Sequence, residues 1–237
     1  MNTNQPKTRI YNLIILDKSG SMSSIREAAL NGCNEVLSGI KSAAVQHAET
    51  QEHFVSLMLF DTESMPLILD RVPANEVRLM THNQFVPCAC TPLLDAIGIA
   101  LTRLEKEVKQ HERAIASVTI ITDGYENASQ EFNLTQIHQL IGRLKEEESW
   151  NIAFMGANQD VSKVCMDLNI DVQNSCEFHF SIHGAKTAFQ DFRDGNDSFY
   201  CAMDHFDRGL DENIPEWERK SRRRHAIKSH GFFRGKR

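Results

Sequence analysis

Residues 10–16 form a near-continuous apolar run that stops abruptly at Asp17. Successive side chains of a strand point to opposite faces, so a strand that is apolar throughout must be covered on both sides. In soluble proteins that means the interior of a mainly parallel sheet. Residues 116–122 repeat the pattern, apolar and β-branched, and end at Asp123-Gly124. Two such strands, each running out into a carboxylate, demand a layered fold with helices on both faces.

The segments between them supply those helices. Ile25, Ala28, Ala29, Val36, Leu37, Ile40 and Ala44 recur at helical spacing over 23–46, with Ser23 or Ser24 available as N-cap. Residues 54–60 and 65–69 read as two strands joined by Asp61-Thr62-Glu63-Ser64, a turn short enough for a hairpin, which makes one edge of the sheet antiparallel. A short helix is expected over 76–80. Pro92 fits the first turn of a helix over 93–109, for which Thr91 is the natural cap. A helix over 134–145, a strand over 152–156 and a helix over 161–168 follow, with a weaker strand at 177–180 and a last helix at 184–192. The alternation predicts an α/β fold with a doubly wound, mostly parallel central sheet. It assigns residues 1–195 to one domain and 196–237 to a C-terminal extension.

Composition narrows the class. The chain has 237 residues, 41% hydrophobic and 24% charged, which is ordinary for a soluble globular protein. No apolar stretch approaches the roughly 20 residues a membrane span needs, and 12–16 is too short for a signal-peptide core, so a cytoplasmic location is expected. The six cysteines are scattered apart from Cys88 and Cys90, and no C-x-x-C pair recurs, which favours reduced thiols. Residues 216–237 carry nine Lys and Arg against two Glu; with a net charge of −6 overall, the remainder stands near −13. An acidic body is not expected to bind nucleic acid. The basic tail could touch RNA, DNA or an acidic partner, but it reads first as a solvated or disordered end from about residue 216.

In open α/β sheets, ligands bind beyond the carboxyl ends of the strands where strand order reverses. Asp17 and Asp123 occupy two such ends. Asp17-Lys18-Ser19-Gly20-Ser21 adds two hydroxyls at alternating positions, and a helix beginning near Thr91 can bring a third. Taken singly, Asp17 is an Asx-turn or cap, Thr91 a cap and Asp123-Gly124 a turn. Taken together, Asp17, Ser19, Ser21, Thr91 and Asp123 place hard oxygens around one point. Magnesium suits that set because it takes six oxygens and usually keeps waters beside one or two carboxylates. Manganese and calcium are the alternatives, whereas the lack of His and Cys disfavours zinc and copper.

These three motifs, D-x-S-x-S after the first strand, T-x-L at Thr91-Pro92-Leu93 and T-D-G at Thr122-Asp123-Gly124, resemble the metal-ion-dependent adhesion site of von Willebrand factor type A domains. The resemblance covers about residues 8–195. It implies direct coordination by Ser19, Ser21 and, in one conformational state, Thr91, with Asp17 and Asp123 acting largely through water. It also implies an open position for an acidic residue of a protein partner. T-D-G-Y-E-N-A-S, T-P-L-L-D-A-I-G and G-A-N-Q-D together are similar to small bacterial stand-alone members, which often accompany metal- or tellurite-stress systems. Glu126, Asn127, Asn158 and Asp160 would then line the site or stabilise its loops. Val86-Pro87-Cys88-Ala89-Cys90 departs from the family, since Cys90 stands where many relatives have glycine and the backbone must bend sharply; Cys88 and Cys90 read as half-buried small residues, with a redox-sensitive loop or a soft-metal contact as the alternatives.

The expected function is metal-dependent protein binding rather than catalysis. A hydrolase or phosphotransferase using Asp17 as nucleophile is the alternative, but Ser19 stands where an aspartyl-phosphate phosphatase would have a second acid. P-loop and serine-hydrolase strings are absent, and the histidines, among them His47, His82, His111 and His138, read as surface or helix-face residues. A nucleic-acid role through the basic tail is the third reading.

Overall fold

The computed structural model describes residues 6–147, 149–157, 160–178, 181–209 and 214–229. Six strands form one sheet: β1 (Thr8–Asp17), β2 (Gln51–Phe60), β3 (Leu67–Pro73), β4 (Ala114–Thr122), β5 (Trp150–Ala157) and β6 (Ser175–Phe178). Their spatial order is β3-β2-β1-β4-β5-β6, parallel throughout except for the antiparallel β2–β3 pair. The helices are α1 (Arg26–Gln46), α2 (Leu93–Val108), α3 (Leu134–Glu146), α4 (Val161–Leu168), α5 (Ile182–Arg208) and α6 (Glu216–Ser229).

Both faces of β1 are buried, as its composition requires. Ile10, Ile14 and Leu16 pack with α1, α5 and Ile227 of α6, whereas Tyr11, Leu13 and Ile15 pack with α2, α3 and α4. The chain leaves β1 toward β2 on one side and later returns to β4 on the other, so strand order reverses between β1 and β4. Leu16 lies opposite Ile121 in that pair. The ends carrying Asp17 and Asp123 are thereby neighbours.

Several local expectations change. The first helix opens as a 3-10 turn over Gly20–Ile25, and neither Ser23 nor Ser24 caps it. The short helix expected at 76–80 is a 3-10 turn at Ala74–Glu76 followed by extended chain. The strand expected at 177–180 is Ser175–Phe178, with 179–180 outside the described residues. The last helix of the body runs 27 residues, far past 192, and the boundary placed after residue 195 falls inside it. Gly32 lets α5 sit directly on α1, since a Cβ there would lie 2.2 Å from the Phe189 ring. Residues 216–229, read as a solvated or disordered end, form α6.

A buried polar cluster ties α5 to the sheet. Tyr200 donates to Asn12 Oδ1 at 2.7 Å, Gln51 Nε2 donates to the Tyr200 carbonyl at 2.9 Å, and His53 lies 2.8 Å from Gln51 Oε1. His47, at the end of α1, and His53, on β2, are both buried; His53 is thus neither the surface nor the helix-face residue expected of the histidines. Burial, with the neighbouring His47, pushes the His53 imidazole down to about 3.

Candidate metal centre

The carboxyl end of β1 delivers Asp17 fully buried, with both oxygens engaged. Oδ1 accepts from the Ser19 amide at 2.6 Å, and Oδ2 accepts from the Thr122 hydroxyl at 2.6 Å. The first bond is an Asx-turn and folds the loop back over the strand end. The 3-10 turn that follows brings Ser21 across to β4, where its hydroxyl donates to Asp123 Oδ1 at 2.6 Å and lies 3.1 Å from Ser19 Oγ. Four of the five expected residues are thus joined in one hydrogen-bonded set.

Thr91 reaches the same place by a different route from the one expected. Pro92, not Thr91, is the N-cap of α2, and no side chain of its own caps it. The orphan amides of the first turn are satisfied from the loop after β4: Leu94 donates to Glu126 Oε2 at 2.9 Å and Asp95 to Ser129 Oγ at 3.1 Å. Asn127 clamps Thr91 by its backbone, accepting from its amide at 2.9 Å and donating to its carbonyl at 3.2 Å. A carboxylate from a distant loop does the work of a local cap, which leaves the threonine side chain for the site. A Cβ built on Gly124 would lie 3.4 Å from Thr91 Oγ1 and 3.5 Å from Ser21 Oγ, which places both hydroxyls around this one glycine.

The centre is short of positive charge. Asp123 Oδ2 is buried with no hydrogen-bond partner among the described residues, an arrangement that ordinarily costs a few kcal/mol. Burial pushes the Asp17 carboxyl up to about 6, against the bonds from Thr122 and Ser19 and with a small push from Asp123. Burial also raises Asp123 above its ordinary value. Two desolvated carboxylates, one of them with an orphaned oxygen, and three hydroxyls form a donor set that fits a hard divalent cation. Among the described residues no group of three or more His, Cys, Asp and Glu is placed to hold a metal, so hydroxyls would be indispensable to this centre.

Lys18 and Asp61 were not singled out in the sequence. Lys18 is buried and ion-paired to Asp61 at the end of β2, and Asp61 also accepts from the Glu63 and Ser64 amides and from Cys88 Sγ. Burial alone would raise Asp61; the bonds from Lys18, Cys88 and Ser64 hold it below its ordinary value. The one signal was Asp61 ending a third apolar run, a position that reads equally well as a turn. Of the remaining rim candidates, Glu126 and Asn127 hold the start of α2, Asp160 caps α4 by accepting from the Lys163 amide at 3.0 Å, and Asn158 lies outside the described residues. Cys88 and Cys90 are both exposed, not half-buried. The sharp bend expected at Cys90 falls at Ala89, whose φ is 59°.

No family model and no curated protein matches the sequence. Solved structures do. Proximal thread matrix protein 1 from the mussel byssus aligns with a TM-score of 0.55 at 11% identity, over 79% of this chain and 46% of its own. The same protein with a zinc-occupied metal-ion-dependent adhesion site aligns at 0.51 and 12%, over 81% and 46%. The pilus adhesin SpaC of Lactobacillus rhamnosus GG, in its open conformation, aligns at 0.55 and 12%, over 83% and 31%. This chain therefore spans about half of the first protein and about a third of the second. With strand order β3-β2-β1-β4-β5-β6 and a single antiparallel edge, the chain has the fold of von Willebrand factor type A domains.

Proposed function

We propose that this protein is a metal-dependent protein-interaction module, with Ser19, Ser21 and Thr91 as direct ligands and Asp17 and Asp123 acting largely through water. The observation that carries this reading is the buried, partnerless Asp123 Oδ2 beside three hydroxyls at a strand-order reversal. Neutral hydroxyls leave a bound ion electrophilic, so it would offer a position to an acidic side chain of the partner. Magnesium fits the hard oxygen set, with manganese and calcium as substitutes. The adhesion-site protein with zinc bound supports ion binding at this place in the fold.

Binding is favoured over turnover by the state of Asp17. Both of its oxygens accept short hydrogen bonds from the protein, so a nucleophile there would first have to break them. The nucleic-acid reading is weakened by the tail itself: Arg222 pairs with Glu218 at 2.5 Å, Arg224 pairs with Glu146, and Arg223 is buried. No helix among the described residues is long and apolar enough to cross a membrane. A cytoplasmic setting in a bacterial multi-component stress system is part of the proposal, by analogy with the strings quoted above.

Calorimetric titration with magnesium and manganese tests the reading, with Asp123→Ala as control. Saturable binding lost in the variant is expected; equal binding by both chains overturns it. Pull-downs from native lysate with magnesium or chelator then test the partner: the same proteins captured in both would sink metal-mediated recognition.

A further inference from the structure

The five residues of the metal centre leave one chemically active feature beside it unused. Cys88 and Cys90 are exposed and two positions apart, with the chain bending between them at Ala89. A left-handed residue folds its neighbours together as a right-handed helical one does, to about 5.5 Å between the flanking Cα atoms. That separation is inside the range a disulfide spans, roughly 4.4–6.8 Å. An extended residue at the same place would hold the two Cα atoms near or beyond the upper limit.

The bend is also bonded to the centre. Gly20 donates to the Ala89 carbonyl at 3.0 Å, and Cys88 donates to the Lys18 carbonyl at 2.9 Å, so the cysteine segment lies against the Asp17–Ser21 loop as a short backbone pairing. Cys88 Sγ donates to Asp61 Oδ2, the oxygen that also receives Lys18 Nζ, at 3.1 Å. Cys90 immediately precedes Thr91. Three connections therefore run from the thiol pair into the loops that carry Ser19, Ser21 and Thr91.

We propose that Cys88 and Cys90 are a reversible oxidation site whose closure to a disulfide loosens the Asp17–Ser21 loop. The oxidant is a low-molecular-weight disulfide of the glutathione type. Cys90, whose partner thiol is engaged with Asp61, attacks first as thiolate: its sulfur bonds to one sulfur of the oxidant, and the other leaves as a thiolate that takes up a proton. The Cys88 thiolate then attacks Cys90 Sγ in the mixed disulfide and releases the second small thiol. In total the protein loses two protons and two electrons, and one oxidant disulfide becomes two thiols. The closed form removes the sulfur donor to Asp61 and tightens the chain at Ala89, drawing its carbonyl from the Gly20 amide. Exposed, short-loop disulfides of this kind are the labile and regulatory ones. The thiol chemistry stands by itself; its effect on ion binding rests on the function proposed above.

The full chain, equilibrated with reduced or oxidised glutathione, is mapped by peptide mass and by amide hydrogen exchange. The expected result is a Cys88–Cys90 disulfide ahead of any other modification, with exchange in the 17–21 peptide about tenfold faster, the effect of losing one modest hydrogen bond. Cys88→Ser and Cys90→Ser, both on an exposed bend, should show neither change. Only glutathione adducts at these cysteines, or a disulfide with unchanged exchange at 17–21, overturns the proposal. A manganese titration of both redox forms completes the test, and about tenfold weaker binding after oxidation is expected. Equal affinity in the two forms overturns the coupling. Failure of the reduced chain to bind manganese at all sinks the metal reading and leaves the thiol result intact.

Discussion

The two ends of β1 and β4 bury acid in opposite ways. At the carboxyl ends, Asp17 and Asp123 face Ser19, Ser21, Thr91 and Thr122, all neutral. At the amino ends, Asp207 of α5 lies with Arg113 at 3.1 Å, near Arg223 and the Thr8 hydroxyl. Burial raises the Asp207 carboxyl even so, and among the described residues its Oδ2 lacks a hydrogen-bond partner just as Asp123 Oδ2 does. The difference is where the compensating charge resides. The amino end carries its cations covalently; at the carboxyl end the buried Lys18 is paired with Asp61, and Asp17 and Asp123 are bonded only to neutral groups, which is where the proposed cation would sit.

The strongest way to break this comparison is to remove the resident cation. Arg113→Ala leaves Asp207 buried against less positive charge and is expected to cost about 3–5 kcal/mol, read from urea unfolding. A loss under about 1 kcal/mol would mean that the amino end is no better neutralised than the site.

The pH dependence of the metal-free protein comes next. Asp17 is raised from 3.8 to about 6 in the folded chain. Between those values the folded state keeps a proton that the unfolded state has lost. Stability is therefore highest below the lower value and falls as pH rises through the upper one, by up to about 3 kcal/mol. Asp17→Asn should flatten that fall, and saturating magnesium should offset it at neutral pH in the natural chain only. A profile identical in both chains would show that Asp17 is not the group responsible.

Glu126→Gln probes the hydrogen-bonded scaffold rather than the charge. It weakens the acceptor for the Leu94, Ala128 and Ser129 amides and should cost about 1–2 kcal/mol by thermal melting, with metal affinity falling alongside as Thr91 loosens. Smallest is Ala89→Gly. Glycine relieves a positive φ that costs alanine roughly 1–2 kcal/mol, and returns about half of that as chain entropy, so a gain of up to about 1 kcal/mol is expected.

Legibility in the sequence followed how local each signal was. Asp17 and Asp123 were readable because a doubly buried strand must be apolar and must end, and the first polar residue beyond it marks the sheet edge. That their two strands are neighbours was a condition of the sequence reading, and the β1–β4 pairing meets it. Thr91 does lie beside Ser21, but not as the cap it was expected to be, because the acceptors that hold the start of α2, Glu126 and Ser129, come from a loop more than thirty residues away. The Lys18–Asp61 pair was hidden for the same cause. The far half of α5 was obscured by Arg193-Asp194-Gly195-Asn196-Asp197, a run that reads as a turn; Asn196 is buried there, 3.5 Å from Ser117 Oγ, and the apolar period resumes at Phe199, Tyr200 and Met203.

The bond from Tyr200 to Asn12 joins residues 188 positions apart. Ribosomal synthesis makes the strand that carries Asp17 well before the hydroxyl that bonds its Asn12 side chain. Until α5 docks, Asn12 Oδ1 lacks the hydroxyl that meets it in the folded chain, although its Nδ2 already reaches the Phe54 carbonyl. This bond, which ties the longest helix to the central strand, therefore forms late, once residue 200 has been made and α5 has docked on the face of β1 opposite α2.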